Sequence, residues 1–270
     1  MLRCIVGFRQ DEEHHWVVEL DCGHSQHVRH NPPWSVREWV TTPEGRQQAM
    51  GSSLECGWCD QSPPIQGSAS GLEDWVVRAM RRWPNVPALF GWLGLDRRGR
   101  WLIRGELITR PQIIDTINAN YASDSYGRWF FQNGPQRGYV ALEIAPFVLH
   151  VADEHLMTHT NRSVERPGPV FLDEAGSLFF VTEHGPGILI DSDLDWAVTR
   201  LQAAGTAMDE AALTDALSRA SGQMTDLTLK IGGQCLSVAR LDRHLVAEQL
   251  GFSPHPEPRP GESVSVHASD

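Results

Sequence analysis

The chain has 270 residues, of which 41% are hydrophobic and 21% are charged, and its formal net charge is −11. This composition is typical of a folded protein with one large domain or two unequal ones. The negative charge argues against broad binding to nucleic acid, which needs Lys and Arg to neutralise phosphates. No apolar run is long enough for a membrane helix, and the N-terminus does not have the pattern of a signal peptide. We therefore expect a cytoplasmic protein that does not bind membranes.

The first sixty residues predict a small β-rich domain. Apolar and polar residues alternate within 3–10 and 16–22, which is typical of a half-buried hairpin. A short helix is expected over 43–50, with Thr42 as its cap and Pro43 in its first turn. Because a domain of this size buries only a small core, it often needs a metal ion or a disulfide for stability.

Two Cys- and His-rich segments could hold such a metal ion. Cys56 and Cys59 form a C-x2-C motif, and Cys22 and His24 form a C-x-H motif after the second predicted strand. If that strand continues, alternation places Cys22 and His24 on one face, and a turn at Gly23 would also keep them together. Three thiols and one imidazole are typical zinc ligands. We predict one zinc ion bound by Cys22, His24, Cys56 and Cys59.

Several alternatives to this site remain open at the level of the sequence. His27, and after it His30, could replace His24 as the fourth ligand. A redox dithiol or a metal-free core would also account for the cysteines. A catalytic zinc ion needs an open coordination position, in which case Glu19 or Asp21 could carry a proton. Four protein ligands fill the site, so we expect the zinc to be structural.

The segment that follows the first cluster combines cations, prolines and an aromatic ring. Arg29 and Trp34 could form a small recognition surface, because Arg and Trp are common in binding hot spots, or they could stack a single-stranded base. The alternative is that the tryptophan packs the small core and the arginine is solvated.

The rest of the chain divides by composition into a linker, a larger domain and a tail. Residues 61–72 are rich in Pro, Gly and Ser, and residues 253–270 have the composition of a disordered tail. Between them, 73–252 predicts an α+β domain of hairpins and helices. Helices are expected over 73–83, 110–122, 192–205, 208–222 and 239–252, and hairpins over 90–105, 127–144, 169–190 and 228–241. The overall prediction is an α+β protein with a small zinc-stapled β-rich domain over 1–60 and a larger mixed domain.

One short pattern occurs twice in the larger domain. Leu-Asp-x-x-Gly lies between apolar runs within 94–105 and again within 171–182. This repetition indicates either an internal duplication or two hairpins that use the same favourable turn.

Two polar features of the larger domain are candidate sites. Asn133, Gln136 and Arg137 surround an Asn-Gly-Pro turn and could line a pocket for a small polar ligand or a peptide, although such a sequence also serves simply to reverse the chain. The His150–His159 segment contains three histidines. If it is helical, His155 and His159 share a face and could bind a metal ion with Asp153 or Glu154; a solvated polar loop is the alternative.

Both parts of the chain resemble bacterial families of unknown function. The motifs GFxxDE, LxCGHxQHVRHNPPW and CxxCD, within residues 3–60, resemble a short zinc-ribbon-like family. The motifs WPNVPAxxGWLxLDxxGxW and WFFQNGPQRxYVxLE resemble a second family over about 75–190. Neither resemblance implies an activity; together they imply a zinc module fused to a second module.

The functional hypothesis is a non-catalytic adaptor or regulatory protein with a structural zinc site and an unidentified protein partner. The alternative is a metal-dependent enzyme that uses the His150–His159 cluster or the polar loops. Nucleic-acid binding is the least favoured class because of the net charge.

Overall fold

The computed structural model describes residues 1–11, 14–30, 36–59, 72–82, 86–262 and 264–265. The buried hydrophobic residues form two clusters, one within 5–59 and one within 95–252. We call residues 1–59 the N-terminal module and residues 72–265 the main domain. Mixed sheets with helices occur along the chain, so the predicted α+β class is confirmed. Of the helices in the described part of the chain, none is long and apolar enough to cross a membrane.

The N-terminal module is a four-stranded sheet with a short helix. Its strands are β1 (Leu2–Gln10), β2 (Trp16–Leu20), β3 (Ser25–His27) and β4 (Ser53–Glu55), in the spatial order β3-β2-β1-β4. β1 pairs antiparallel with both β2 and β4, so it lies at the centre of the sheet. A 3-10 turn over Glu38–Val40 precedes helix α1 (Pro43–Ala49), whose cap is Thr42, as predicted; its side chain accepts a hydrogen bond from the Gly45 N–H at 3.1 Å.

The first sheet of the main domain contains two three-stranded antiparallel meanders and a helix that connects them. Its strands are β5 (Ala88–Leu95), β6 (Trp101–Ile103), β7 (Glu106–Leu107), β8 (Tyr121–Ser123), β9 (Trp129–Asn133) and β10 (Gln136–Leu142), in the order β7-β6-β5-β10-β9-β8. Helix α2 (Asp74–Arg82) precedes the sheet, and helix α3 (Pro111–Ala119) connects β7 to β8. Among these six strands, β5 and β10 run parallel and the other pairs are antiparallel.

The second sheet has nine strands. They are β11 (Phe147–Ala152), β12 (His155–Thr158), β13 (Val170–Leu172), β14 (Leu178–Thr182), β15 (Gly185–Leu189), β16 (Leu201–Ala203), β17 (Thr206–Ala207), β18 (Met224–Ile231) and β19 (Gln234–Arg240). Their spatial order is β12-β11-β15-β14-β13-β19-β18-β16-β17. The helices are α4 (Leu194–Val198), α5 (Glu210–Ser218) and α6 (Val246–Gln249), with 3-10 turns over Asp191–Asp193 and Arg243–Leu245.

One hairpin turn is used three times in the main domain. The turns begin at Asp96, Asp124 and Asp173, and in each the Asp Oδ1 accepts backbone N–H groups two and four positions later, at 2.7–3.1 Å. In each turn, the residue before the Asp pairs with the residue five positions after the Asp. The glycine three positions after each Asp has a φ of 71° to 83°, which favours glycine. The repeated Leu-Asp-x-x-Gly pattern therefore marks a shared turn, and its third use, within 121–133, was not predicted.

Two of the predicted helices are much shorter than expected, and the other three differ from their predicted ends by one to four residues. The helix predicted over 192–205 ends with α4 at Val198, because Leu201 leaves the helix to pair with Leu229 in the second sheet. Of the range 239–252, only the segment from Arg243 to Gln249 is helical, because β19 extends to Arg240. In both cases a strand pairing with a distant segment overrides local helix propensity.

The chain beyond residue 252 differs from the expected disordered tail. Residues 253–262 are described and lie against the main domain, where the Pro254 carbonyl accepts the Leu142 N–H at 2.8 Å. A short strand β20 (Val264–Ser265) then pairs parallel with β5. The composition predicted a disordered tail and did not indicate these contacts, which depend on residues more than a hundred positions away.

Candidate metal centre

Two turns at one end of the N-terminal sheet bring the cysteines and the histidine together. β2 ends at Leu20, and a turn through Gly23 (φ 79°) carries Cys22 and His24 back towards β3. β4 ends at Glu55 and leads into the turn that contains Cys56 and Cys59. Both turns lie beside the start of β1, since the Asp21 N–H donates to the Cys4 carbonyl and the Cys56 N–H to the Met1 carbonyl. The central strand thus aligns the two halves of the cluster.

The four side chains form a close group that could hold a metal ion. One ligand atom from each of Cys22, His24, Cys56 and Cys59 lies within 4.8 Å of all the others. The Cys56 and Cys59 side chains are fully buried, His24 is 8% exposed, and Cys22 is half-buried. Within the described part of the chain, this is the one group of three or more His, Cys, Asp or Glu residues whose ligand atoms lie close enough together to hold a metal ion.

The separations between the ligand atoms suit a tetrahedral ion. Cys22 Sγ lies 3.8 Å from Cys56 Sγ, and His24 Nδ1 lies 3.6 Å from Cys56 Sγ and 3.7 Å from Cys59 Sγ. Bonds of about 2.3 Å to sulfur and about 2.0 Å to nitrogen, at tetrahedral angles, separate two sulfurs by about 3.8 Å and a sulfur from a nitrogen by about 3.5 Å. A disulfide would instead bring two sulfurs to about 2.0 Å. The donor set and its spacing therefore fit a metal ion.

The close contacts within the cluster shift the pKa values of Cys56 and Cys22 in opposite directions. The hydrogen bond from Cys22 is the main cause that lowers the pKa of Cys56 to about 3, and His24 and the Trp58 N–H act in the same direction while burial opposes them. The same Cys22–Cys56 hydrogen bond, together with burial, raises the pKa of Cys22. Burial alone would lower the pKa of His24, but contacts with Cys56 and Cys59 outweigh it and raise the pKa. A metal ion would take the place of these shared protons.

Arg3 is a neighbour of the cluster that the sequence did not reveal. Its Nε donates to Cys59 Sγ at 3.3 Å, and this hydrogen bond is the main cause that raises the Arg3 pKa. A site of three thiolates and one neutral imidazole around a divalent ion carries a net charge of −1, which one guanidinium would balance. The sequence separates Arg3 from Cys59 by 56 positions, and only the pairing of β1 with β4 brings them together.

The two other histidines proposed as ligands are engaged elsewhere. His27, at the end of β3, is exposed and its Nε2 lies 2.7 Å from Asp11 Oδ2. His30 Nδ1 accepts the Arg37 N–H at 3.1 Å. The predicted continuation of β2 through Cys22 is wrong, because the chain turns after Leu20; the alternative, a turn at Gly23, is the one found.

The other predicted ligand-binding residues belong to two separate candidate sites, one with Arg29 and Trp34 and one with Asn133, Gln136 and Arg137. Arg29 is exposed, and Trp34 lies outside the described residues. Asn133 is exposed at the end of β9, and Gln136 donates to the Pro87 carbonyl at 3.3 Å. Arg137 is 5% exposed, with its Nε 3.3 Å from the amide oxygen of Gln132 and its guanidinium stacked 4.0 Å from the Phe130 ring.

The His150–His159 cluster is not assembled as predicted. The segment is the β11–β12 hairpin rather than a helix, so His155 and His159 do not share a helical face. His155 is exposed, whereas the His159 imidazole packs against the rings of Trp101, Tyr121 and Phe147. Glu154 instead pairs with Arg200. His155 is the first residue of β12 and His159 directly follows its end, and no metal-ligating group is found around them in the described part of the chain.

A buried charge network in the main domain was also missed. Asp124 and Arg128 face each other across the second of the repeated turns, with side chains 0% and 5% exposed, and Glu262 pairs with Arg128 at 2.6 Å. The Tyr139 hydroxyl donates to Asp124 at 2.9 Å. The D-x-x-G-R pattern at 124–128 was a visible signal for the turn, but nothing local indicated that Glu262 would complete the network.

Together, the fold and the cluster define an α+β protein whose N-terminal module carries a Cys3His group able to hold a metal ion. The chain belongs to the family described as protein of unknown function (DUF2946), whose sequence model, DUF2944, matches residues 72–257. A second model, described as protein of unknown function (DUF3565), matches residues 6–63. These two matches confirm that both parts of the chain resemble families of unknown function.

The chain has weak similarity to two solved structures. No curated protein matches the chain. A DUF1285 family protein from Silicibacter pomeroyi DSS-3 is 12% identical, with a TM-score of 0.39, over 58% of this chain and 85% of its own. A DUF1285 family protein from Shewanella baltica OS155 is 13% identical, with a TM-score of 0.32, over 38% of this chain and 87% of its own.

Proposed function

We propose that the protein binds one zinc ion through Cys22, His24, Cys56 and Cys59, and that this zinc stabilises the N-terminal module without catalysing a reaction. The observation that carries the proposal is the spacing of the ligand atoms: the Sγ atoms of Cys22 and Cys56 are 3.8 Å apart, and His24 Nδ1 lies 3.6–3.7 Å from the Sγ atoms of Cys56 and Cys59. Three thiols and an imidazole suit zinc, whereas iron–sulfur clusters usually use four cysteines. Free cysteines of this kind are typical of a reducing compartment, and we propose that the protein is cytoplasmic.

The composition of the module core supports a structural role. Its buried hydrophobic cluster consists of Ile5, Val18, Leu20, Val28, Val40, Ala49, Cys56 and Cys59. Two of these eight residues are candidate ligands, and the rest of this small core consists of six buried side chains with partly buried ones, such as Phe8, Trp16 and Trp39, packed against them. Small domains of this kind often depend on a metal for most of their folding free energy. Four protein ligands also leave no coordination position for a substrate.

We further propose that the protein acts as an adaptor or regulator that binds a protein partner. Apolar side chains on the surface of the module support this role, because large exposed apolar side chains are common at interfaces. Leu2 and Val6 of β1 are 72% and 51% exposed, and Met1 and Met50 are also exposed. The adaptor would present this surface on a sheet that the metal holds in shape.

The first experiment measures the metal content of the purified full-length chain by mass spectrometry. We expect one zinc per chain in the wild type, and loss of zinc in a Cys56→Ser, Cys59→Ser variant. The matched control is a Cys4→Ser, Cys235→Ser variant, since both of these cysteines are exposed and lie outside the cluster. The control should keep its zinc.

The second measurement asks whether the metal is structural. Amide hydrogen exchange with and without a chelator should show loss of protection within β1, β2 and β4 and unchanged protection in the main domain. Full protection after removal of the zinc would contradict the structural role. A wild-type chain without any metal, purified under reducing conditions, would contradict the zinc site itself.

A further inference from the structure

We call residues 253–262 the C-terminal strap. The strap contacts the rest of the main domain at a few separate places. The Pro254 carbonyl accepts the Leu142 N–H at 2.8 Å, and the Ser253 N–H donates to the Gly127 carbonyl at 2.9 Å. Further along, the Arg259 guanidinium stacks 3.4 Å from the Tyr126 ring. Most strap residues between these anchors are exposed. The strap is therefore attached as a peptide ligand is, by a few anchors along an extended segment.

Arg128 is the strongest of these anchors. Its Nη1 and Nη2 donate to the two carboxylate oxygens of Glu262 at 2.9 Å and 2.6 Å, and Nη1 also donates to the Glu257 carbonyl at 2.8 Å. The two charged side chains are 5% and 2% exposed. A parallel pair of hydrogen bonds of this kind recognises the planar shape of a carboxylate as well as its charge.

The repeated turn supplies an internal comparison for Arg128. Arg100 occupies the equivalent position after Asp96, and its Nε donates to the Asp96 carboxylate at 2.7 Å, as the Nε of Arg128 donates to Asp124 at 2.9 Å. The Arg100 side chain is nevertheless 50% exposed, compared with 5% for Arg128. The turn by itself thus leaves this arginine accessible. The burial of Arg128 comes with the strap and with Glu262.

The sequence of the strap is that of an extended recognition segment. It reads SPHPEPRPGE, with proline at every second position from 254 to 260. Proline restricts the backbone and lacks an N–H, so such a segment stays extended and loses little conformational entropy when it binds. Segments of this type commonly bind surfaces lined by aromatic rings. The rings of Tyr126, Tyr139 and Phe90 lie 4.6–5.9 Å from the Arg128 guanidinium.

We propose that the surface around Arg128 is a binding site for an extended, proline-containing peptide segment with a carboxylate, and that the strap occupies this site in cis. A partner segment of the same chemistry would displace the strap, place its carboxylate on Arg128, and add a strand beside β5 where β20 now pairs. This names the class of partner for the adaptor role proposed above and rests on that role. It does not depend on the zinc site.

The experiment uses the full-length chain and a fluorescently labelled synthetic peptide of residues 253–265. We expect Glu262→Gln, which weakens the cis contact but keeps the site, to bind the peptide at least about tenfold more tightly than the wild type. Adding Arg128→Gln should remove this gain, whereas adding Arg100→Gln should preserve it. A peptide with Gln at the position of Glu262 should bind about tenfold more weakly than the original peptide.

Equal binding of the peptide to the wild type and to Glu262→Gln, or no binding to either, would overturn the proposal. If Arg128→Gln does not fold, hydrogen exchange on the wild type decides instead. The Leu142 and Ser253 amides, which bond across the strap contact, should exchange faster than the Gln132 amide, which bonds to Asn120 inside the domain. Equal rates would show that the strap opens only on global unfolding. Zinc content measured on the same samples separates this failure from a failure of the zinc proposal.

Discussion

His159 makes the stability of the main domain depend on pH in a way that can be tested. Its imidazole packs against the rings of Trp101, Tyr121 and Phe147. Nδ1 accepts the Val148 N–H at 3.2 Å, so the proton of the neutral ring lies on Nε2, which is buried without a hydrogen-bond partner. A second proton would place a charge in this aromatic environment.

Burial lowers the pKa of His159 from 6.5 to about 3, and His150 and Arg162 add to this while Asp96 opposes it. Because the pKa is lower in the folded state, the unfolded chain binds more protons between about pH 6.5 and pH 3. Stability therefore falls as the pH is lowered through this window and is fully restored above it. At pH 5 the difference from pH 7 amounts to about 2 kcal/mol, from about 1.4 kcal/mol per pH unit below 6.5.

The test compares urea unfolding of the wild type and of His159→Asn at pH 7 and pH 5. Asparagine can accept the Val148 N–H but does not titrate, so the cavity that it leaves affects both pH values equally. From pH 7 to pH 5, we expect the free energy of unfolding to fall by about 2 kcal/mol more in the wild type than in His159→Asn. His155→Asn, at an exposed position in the same hairpin, should behave as the wild type. An identical loss in the wild type and His159→Asn would refute the reasoning.

Three further predictions concern the metal centre and the repeated turn. His24→Ala should lose the zinc, whereas His27→Ala should keep it, and metal analysis of both variants distinguishes the ligand. Arg3→Met should weaken zinc binding about tenfold in competition with a chelator. Arg3→Lys should recover part of the affinity, because it retains a charge beside Cys59. Equal zinc affinities in the wild type and Arg3→Met would show that Arg3 does not contribute to the site. Gly176→Ala should lower the free energy of unfolding by about 1 kcal/mol, because the residue has a positive φ. Gly127→Ala should lower it by about 3 kcal/mol, because the added Cβ would also lie 2.3 Å from the Gly251 carbonyl oxygen. Thermal unfolding of both variants measures the difference.

Local chemistry explains which expectations from the sequence agree with the structure. The Thr42 cap depends on a hydrogen bond between residues three positions apart, and the repeated turns on bonds within five residues. The Cys56–Cys59 spacing confines two thiols to a single turn. Such features need no distant partner, and the residues that form them are adjacent in the sequence.

The choice among the histidines required the tertiary structure. Spacing favours His24 and leaves His27 and then His30 as substitutes, and the structure adds the turn at Gly23 and the contact between His27 and Asp11, which separate them. The His150–His159 segment has helical spacing, yet it forms strands, because β11 pairs with β12 and also with the distant β15. Pairing energies between distant segments are invisible in a local pattern.

By itself, the sequence determined the α+β class, several of the hairpins, and the C-x-H and C-x2-C motifs that supply the candidate ligands, because each of these follows from periodicity or from residue spacing within a short segment. Tertiary structure alone decided that Arg3 meets Cys59, that β16 replaces the end of a helix, and that Glu262 meets Arg128. The physical reason is the same in all three cases. Each contact joins residues far apart in the chain, and its stability comes from burial or pairing that exists only once the sheets have formed.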